Sequence, residues 1–200
     1  AAEEALRKVA HGDELRPQLQ DAGWVFRSTG DTEIVLAACA TWGVAALARL
    51  DGMWALAFFD ARRGDGFIAR DPFGIKPLLY SAQLQSLRFA SELGGLEELG
   101  FSNRRLDPSS VMHHLLLGYI AAPSTIYEGA KRLSPGNVLT FSRDGAAAPR
   151  PYFDLARQVQ DARAELSSTP YGEALTQLRA RIARSVVRQR VSDVPLGCFL

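Results

Sequence analysis

Asp51-Gly52-Met53-Trp54-Ala55-Leu56-Ala57-Phe58-Phe59-Asp60-Ala61-Arg62-Arg63-Gly64 is the stretch whose reading decides the fold. Met53 to Phe59 is almost wholly apolar, short for a helix, and bounded by Asp51-Gly52 on one side and a turn-like Asp60 to Gly64 on the other. That combination predicts a strand covered on both faces. Phe67-Ile68-Ala69, Leu78-Leu79-Tyr80 and Leu87-Arg88-Phe89-Ala90 follow as further short strands joined by Gly- or Ser-containing connections. Neighbouring hairpins of this kind predict antiparallel pairing, with sheet packing dominating the core.

Toward the N-terminus, Asp13 is positioned to cap a helix with Leu15, Leu19 and Ala22 on one face, Pro17 in its first turn and Gly23 as its stop. A strand is expected over Trp24 to Arg27. The turn-like Ser28-Thr29-Gly30-Asp31-Thr32 precedes Ile34, Val35, Ala38 and Trp42, which recur at helical spacing up to Gly43.

Toward the C-terminus, Asp107-Pro108 is a cap-plus-first-turn pair for a helix passing His113 and His114 to Leu117, with Gly118 as its end. Val138 to Phe141 predicts a strand after the turn Ser134-Pro135-Gly136, and the Ala- and Pro-rich run from Gly145 to Pro151 breaks the pattern. Residues 154–170 are expected to be a linker. From Tyr171 a helix places Leu175, Leu178, Ile182 and Val186 on one face with arginines opposite. The expected division is 1–153, 154–170 and 171–200, the last being the start of a second domain.

The 200 residues carry 23 Lys+Arg against 22 Asp+Glu, a formal net charge of +1, so the overall field favours neither a nucleic acid nor an anionic membrane as partner. Cys39 and Cys198 lie far apart in apolar company without metal-ligand or disulfide spacing, which fits a reducing cytoplasm. No apolar run is expected to reach the roughly 18–20 residues a membrane span needs. The start Ala1-Ala2-Glu3-Glu4 is unlike a signal peptide. With no initial Met and an apolar end at Gly197-Cys198-Phe199-Leu200, the sequence has the look of a fragment.

Three ordered segments carry a family resemblance: Arg27-Ser28-Thr29-Gly30-Asp31-Thr32-Glu33; Leu50 to Ala55 through Ala69-Arg70-Asp71-Pro72-Phe73-Gly74-Ile75-Lys76-Pro77-Leu78-Leu79-Tyr80 to Phe89-Ala90-Ser91-Glu92; and Arg190 to Leu200. Together they resemble the asparagine-synthetase type of class II glutamine amidotransferase, from about Glu14 onward. The resemblance implies an α/β (α+β) fold, a four-layer αββα glutaminase domain of the N-terminal-nucleophile hydrolase kind with two antiparallel sheets, followed by the start of an ATP-pyrophosphatase domain. It implies a parent protein that hydrolyses glutamine at an N-terminal cysteine and passes ammonia to ATP-activated aspartate, with ATP and Mg as cofactors, glutamine, aspartate and ATP as small-molecule partners, and possible homodimerisation. ATP and Mg are not expected on this piece alone.

By that resemblance Asp31 binds the α-ammonium of glutamine; local chemistry alone leaves open a plain helix cap. Leu200 matches the residue just before the ATP loop, with a core strand as its alternative. The terminal cysteine and the Asn-Gly oxyanion pair of the family are absent, the latter falling near Arg7-Lys8, so no catalytic residue is assigned and the piece is expected to be inactive. Arg70-Asp71 is expected to order its turn. His113 and His114, about 100° apart on a helix, are expected to be structural, as are Cys39 and Cys198. Two other functions stay open: the same fold serving a different acceptor, and a catalytically dead module that binds through the Asp31 region.

Overall fold

The structure, a computed structural model, describes residues 12–28, 30–83, 86–166, 168–190, 195 and 197. Two helices open it: α1 (Gly12–Asp21) and α2 (Asp31–Trp42), the latter continuing into a 3-10 segment, Gly43–Arg49. Leu15 and Leu19 of α1 are buried, each such side chain contributing about 1.5–3 kcal/mol of apolar transfer. Because α1 already starts at Gly12, Pro17 lies inside the helix and not in its first turn.

The expected strand at Trp24–Arg27 does not form, since side chains satisfy the groups that a ladder would have paired. The Trp24 indole N–H donates to Thr41 Oγ1 (2.9 Å), and the Arg27 and Ser28 amides donate to the Glu33 carboxylate.

The expected hairpins are present. β1 (Ala55–Asp60) and β2 (Asp65–Arg70) pair antiparallel from Ala55↔Arg70 to Asp60↔Asp65. Their turn is tightened by Asp60 Oδ1, which accepts from the Arg62 and Arg63 amides. β3 (Leu79–Gln83) pairs with β4 (Ser86–Ala90), followed by α3 (Leu93–Glu98). α4 (Pro108–Leu117) has the predicted ends: Asp107 accepts from the Ser109 and Ser110 amides, and Gly118 closes the helix at φ 76°. β5 (Lys131–Arg132) joins the other edge of β3, while β6 (Asn137–Ser142) lies beside β2 with Ile68 opposite Leu139. The Ala/Pro-rich run contributes β7 (Gly145–Ala146) and β8 (Arg150–Pro151), both along the far edge of β6.

Side-chain alternation along the strands fixes the layers. Phe67 and Ala69 of β2 join Leu56 and Val138 in a core with α1 and α2. Ile68 and Leu139, one residue out of phase, point the opposite way and meet Leu78, Tyr80 and Leu133 between the two sheets. Leu79 then faces Leu96, Phe101 and Ala130 on the outer side of the second sheet. The order is helices, sheet, sheet, helix: the expected αββα stack. The largest apolar cluster is helix on sheet, however, and not sheet on sheet.

Within the expected linker, 154–170, the chain forms α5 (Leu155–Leu166), before α6 (Tyr171–Gln189). Two further expectations are corrected. β1 is not covered on both faces, because Ala57 and Phe59 on one side of it are exposed, Phe59 at 59 %; β2 is covered on both. Asp31–Arg49 is one stretch long and apolar enough to cross a membrane. Its residues Ile34, Val35, Ala37, Ala38, Cys39, Ala46 and Leu47 are instead buried against the sheet, which accounts for the composition.

At the end of β2 the sheets are tied together. Arg70 is 8 % exposed and its guanidinium donates to the carbonyls of Lys76 (2.7 Å), Leu133 (2.8 Å) and Gly74 (2.5 Å). Asp71, fully buried, accepts from the amides of Phe73 (3.2 Å), Ile75 (3.0 Å) and Lys76 (2.9 Å). The Asp71 amide donates to the Trp54 carbonyl, its own carbonyl accepts from Gly136, and the Tyr152 hydroxyl donates to the Arg70 carbonyl at 2.7 Å. Gly74 has φ 66°, and a Cβ there would sit 2.7 Å from Pro135 Cγ, so a side chain is excluded by both conformation and space.

Asp71→Ala leaves three amides without their acceptor and removes the neighbouring charge that favours a charged Arg70. It is expected to lower the unfolding free energy by about 3–5 kcal/mol, read as a fall in the urea midpoint at unchanged slope. A loss under about 1 kcal/mol would show the clamp to be dispensable.

Candidate functional site

The loop that delivers Asp31 is held from three sides. Arg16 of α1 donates from Nη2 to the Ser28 carbonyl (3.1 Å), and its guanidinium lies 4.6 Å from the centre of the Phe26 ring. Ser28 Oγ accepts from the Gly30 amide (3.3 Å) and donates to Glu33 (2.8 Å). Glu33 accepts from the Arg27 amide at 3.0 and 3.1 Å and from the Ser28 amide at 2.9 Å. These bonds, the Arg27 amide foremost and then the Ser28 hydroxyl and amide, hold the Glu33 carboxyl below the usual carboxylate range, with Arg16 adding to the effect.

Gly30 occupies the cap position, with extended backbone, and Asp31 is the first residue of α2. Its half-buried carboxylate therefore stands at the positive end of the helix, where a negative charge is favoured. The cap position itself is held by Gly30, which has no side chain to cap with.

Glu33 is the site residue that sequence reasoning missed. Its signal was available as the third-turn-position acid after a turn, the acidic half of a capping box. Here the side chain reaches past the cap to Arg27 and Ser28, which spacing alone does not foretell.

The other candidates separate cleanly. Cys39 is 2 % exposed on the core face of α2, and burial pushes its thiol up to about 12, so it stays a protonated small hydrophobe. His113 and His114 are exposed on α4, apart from the Asp31 loop in the fold. Arg70 and Asp71 are consumed by the clamp. Leu200, Cys198 and the Arg7-Lys8 position lie outside the described residues. Among the described residues no group of three His, Cys, Asp or Glu could hold a metal ion. A cleft of about 590 Å³ is lined by Cys39 to Val44, Phe58, Asp60 and Thr140, among others. It is at the other end of α2, a 12-residue helix about 18 Å long, and does not include Asp31.

A family profile described as the glutamine amidotransferase domain matches residues 11–153, which contain the Asp31 loop, both sheets and the clamp. The chain belongs to the glutamine amidotransferase family. It is 31 % identical over 189 residues to "Asparagine synthetase [glutamine-hydrolyzing] 3" of Bacillus subtilis, a match covering 94 % of this chain and 30 % of that protein. A putative glutamine-hydrolysing asparagine synthetase of Mycobacterium bovis is 33 % identical over 192 residues, 94 % of this chain and 28 % of that protein. The chain thus spans under a third of the length of these curated relatives. Among solved structures, the glutamine phosphoribosylpyrophosphate amidotransferase of B. subtilis aligns at a TM-score of 0.47 and 18 % identity, over 72 % of this chain and 27 % of that one, too loose a likeness to bear on function.

Because folding lowers the Glu33 pKa, its bonds to Arg27 and Ser28 are complete above the unfolded value of 4.5 and are lost as pH falls through the lower folded value. The Arg27 and Ser28 amide resonances are expected to shift together as pH falls below that unfolded value. Glu33→Gln should produce the same shift at pH 7. Resonances unmoved between pH 7 and pH 3 would show that the carboxylate does not hold the loop.

Proposed function

We propose that this chain is the glutamine-binding part of a glutamine-dependent asparagine synthetase, with Asp31 as the anchor for the substrate's α-ammonium. The observation that carries the reading is the family match over residues 11–153, with Asp31 at the first position of α2 on a loop clamped by Glu33. A fixed carboxylate at that place holds one end of an amino acid. The other end is left to groups beyond the described residues.

Thiol attack on a carboxamide needs a thiolate beside a base, and Cys39, buried and protonated, cannot supply one. In this reading the 200-residue chain binds and orients glutamine, and the nucleophile belongs to the complete protein. Residues 171–200 are read as the start of the amide-forming domain, joined through α5. ATP with Mg, when bound to the complete protein, supplies the activation of an aspartate carboxylate as ammonia acceptor. The complete protein is read as cytoplasmic and homodimeric.

Two measurements test this. The 200-residue chain alone is expected to release no glutamate from glutamine above background. In the complete gene product, Asp31→Asn is expected to raise the glutamine KM about 10–100-fold, the value of one charge-assisted bond, while leaving amide formation from free ammonia unchanged. An unchanged glutamine KM, or an equal loss with ammonia, would remove Asp31 from substrate binding.

A further inference from the structure

The Arg70–Asp71 clamp does more than close the fold. It holds a loop whose outward side chains are apolar: Phe73 is 65 % exposed and Ile75 53 %, although the amides of both are fixed to Asp71. The Phe73 ring is steadied from one side by an edge contact with Phe153 at 6.0 Å. Large apolar groups on a loop this rigid lose little entropy when covered, which is the property of an interface anchor.

A second apolar surface adjoins it. A cleft of about 450 Å³ is lined by Leu50, Met53, Pro72, Phe73, Ile75 and, from α6, Ser185. α6 is 19 residues long, and Leu178, Ile182 and Val186, spaced four apart on one face, are 53–54 % exposed. An amphipathic helix draws most of its stability in water from covering such a face. The stripe and the loop lie beside one cleft, and both are uncovered.

What covers them is indicated by length. The match to the Bacillus relative takes in 94 % of this chain but only 30 % of that protein, and it runs into α6. We propose that the Phe73–Ile75 loop and the apolar face of α6 together form the seat on which the remainder of a relative-length polypeptide packs in cis. The inference rests on the reading of this chain as part of an amide-forming enzyme, and it names the contact by which the two parts of that enzyme are held in register. Asp71 and Arg70 act in it as positioning residues, and Phe73 and Ile75 as anchors.

Hydrogen exchange tests it without recourse to activity. The polypeptide encoded by the complete open reading frame is compared with the 200-residue chain. Amides of 73–76 and 176–187 are expected to exchange at least ~10-fold more slowly in the longer polypeptide, with β2 amides equal in both. In the longer polypeptide, Phe73→Ser with Ile75→Ser should return the α6 amides to the faster rate and leave β2 protected, which separates lost docking from lost folding. A reading frame that stops at Leu200, or equal exchange in the two polypeptides, overturns the proposal. So does protection on the exposed α4 face of Met112, Leu115 and Leu116 in place of the loop, or protection in the 200-residue chain that grows with its own concentration, which would mean a second copy is the occupant. Glutamate release is assayed separately: protection without glutaminase activity would sink the functional reading and leave the docking surface standing.

Discussion

Arg70 and Asp71 spend their charges on backbone. One guanidinium gives three N–H bonds to carbonyls and one carboxylate takes three from amides, all within or beside the turn that follows β2. A buried charge with incomplete partners would cost several kcal/mol, and here each guanidinium nitrogen and each carboxylate oxygen has a partner. Its partners come from both sheets: Leu133 directly follows β5 of one, while Trp54 precedes β1 and Tyr152 follows β8 of the other. The pair adds side-chain bonds to the backbone ones at that end, such as the Leu133 amide to the Leu78 carbonyl.

The Asp31 loop is built on the same principle at smaller scale. Glu33 binds the amides of Arg27 and Ser28, and Arg16 binds a carbonyl of the same loop, so side chains replace the ladder that a strand there would have made. In both places an acidic side chain fixes irregular backbone: Glu33 the stretch that leads into Asp31 and α2, Asp71 the loop that exposes Phe73 and Ile75. The helices and sheets beneath contribute rigidity.

Much of the scaffold was legible because its signals are local. Asp107-Pro108 and Gly118 mark both ends of α4, and the apolar runs broken by Gly-containing turns give the β1–β2 and β3–β4 hairpins. The family resemblance pointed to Asp31, and spacing alone left it open as a cap. Less legible were positions where a residue's surroundings come from elsewhere in the chain. Phe59 has the same composition around it as a buried strand residue, yet β1 is an edge and Phe59 is exposed. Trp24 to Arg27 has strand-like residues, yet the Trp24 amide donates to the Leu19 carbonyl and the Arg27 amide to Glu33. Residues 155–166 sit after a Pro-rich break, yet form α5.

By itself, then, the sequence determined the β1–β2 and β3–β4 hairpins, the caps of α4, and the alternation that sends Phe67 and Ile68 into different cores, since each depends on bonds or periodicities spanning a few residues. Only the tertiary structure decided which strand is the edge, where the Arg70 and Asp71 bonds go, and which apolar groups remain outside. Those outcomes depend on contacts such as Arg70 to Leu133 and Tyr152 to Arg70, separated by 63 and 82 residues, and no local pattern encodes which distant carbonyl a buried guanidinium will find.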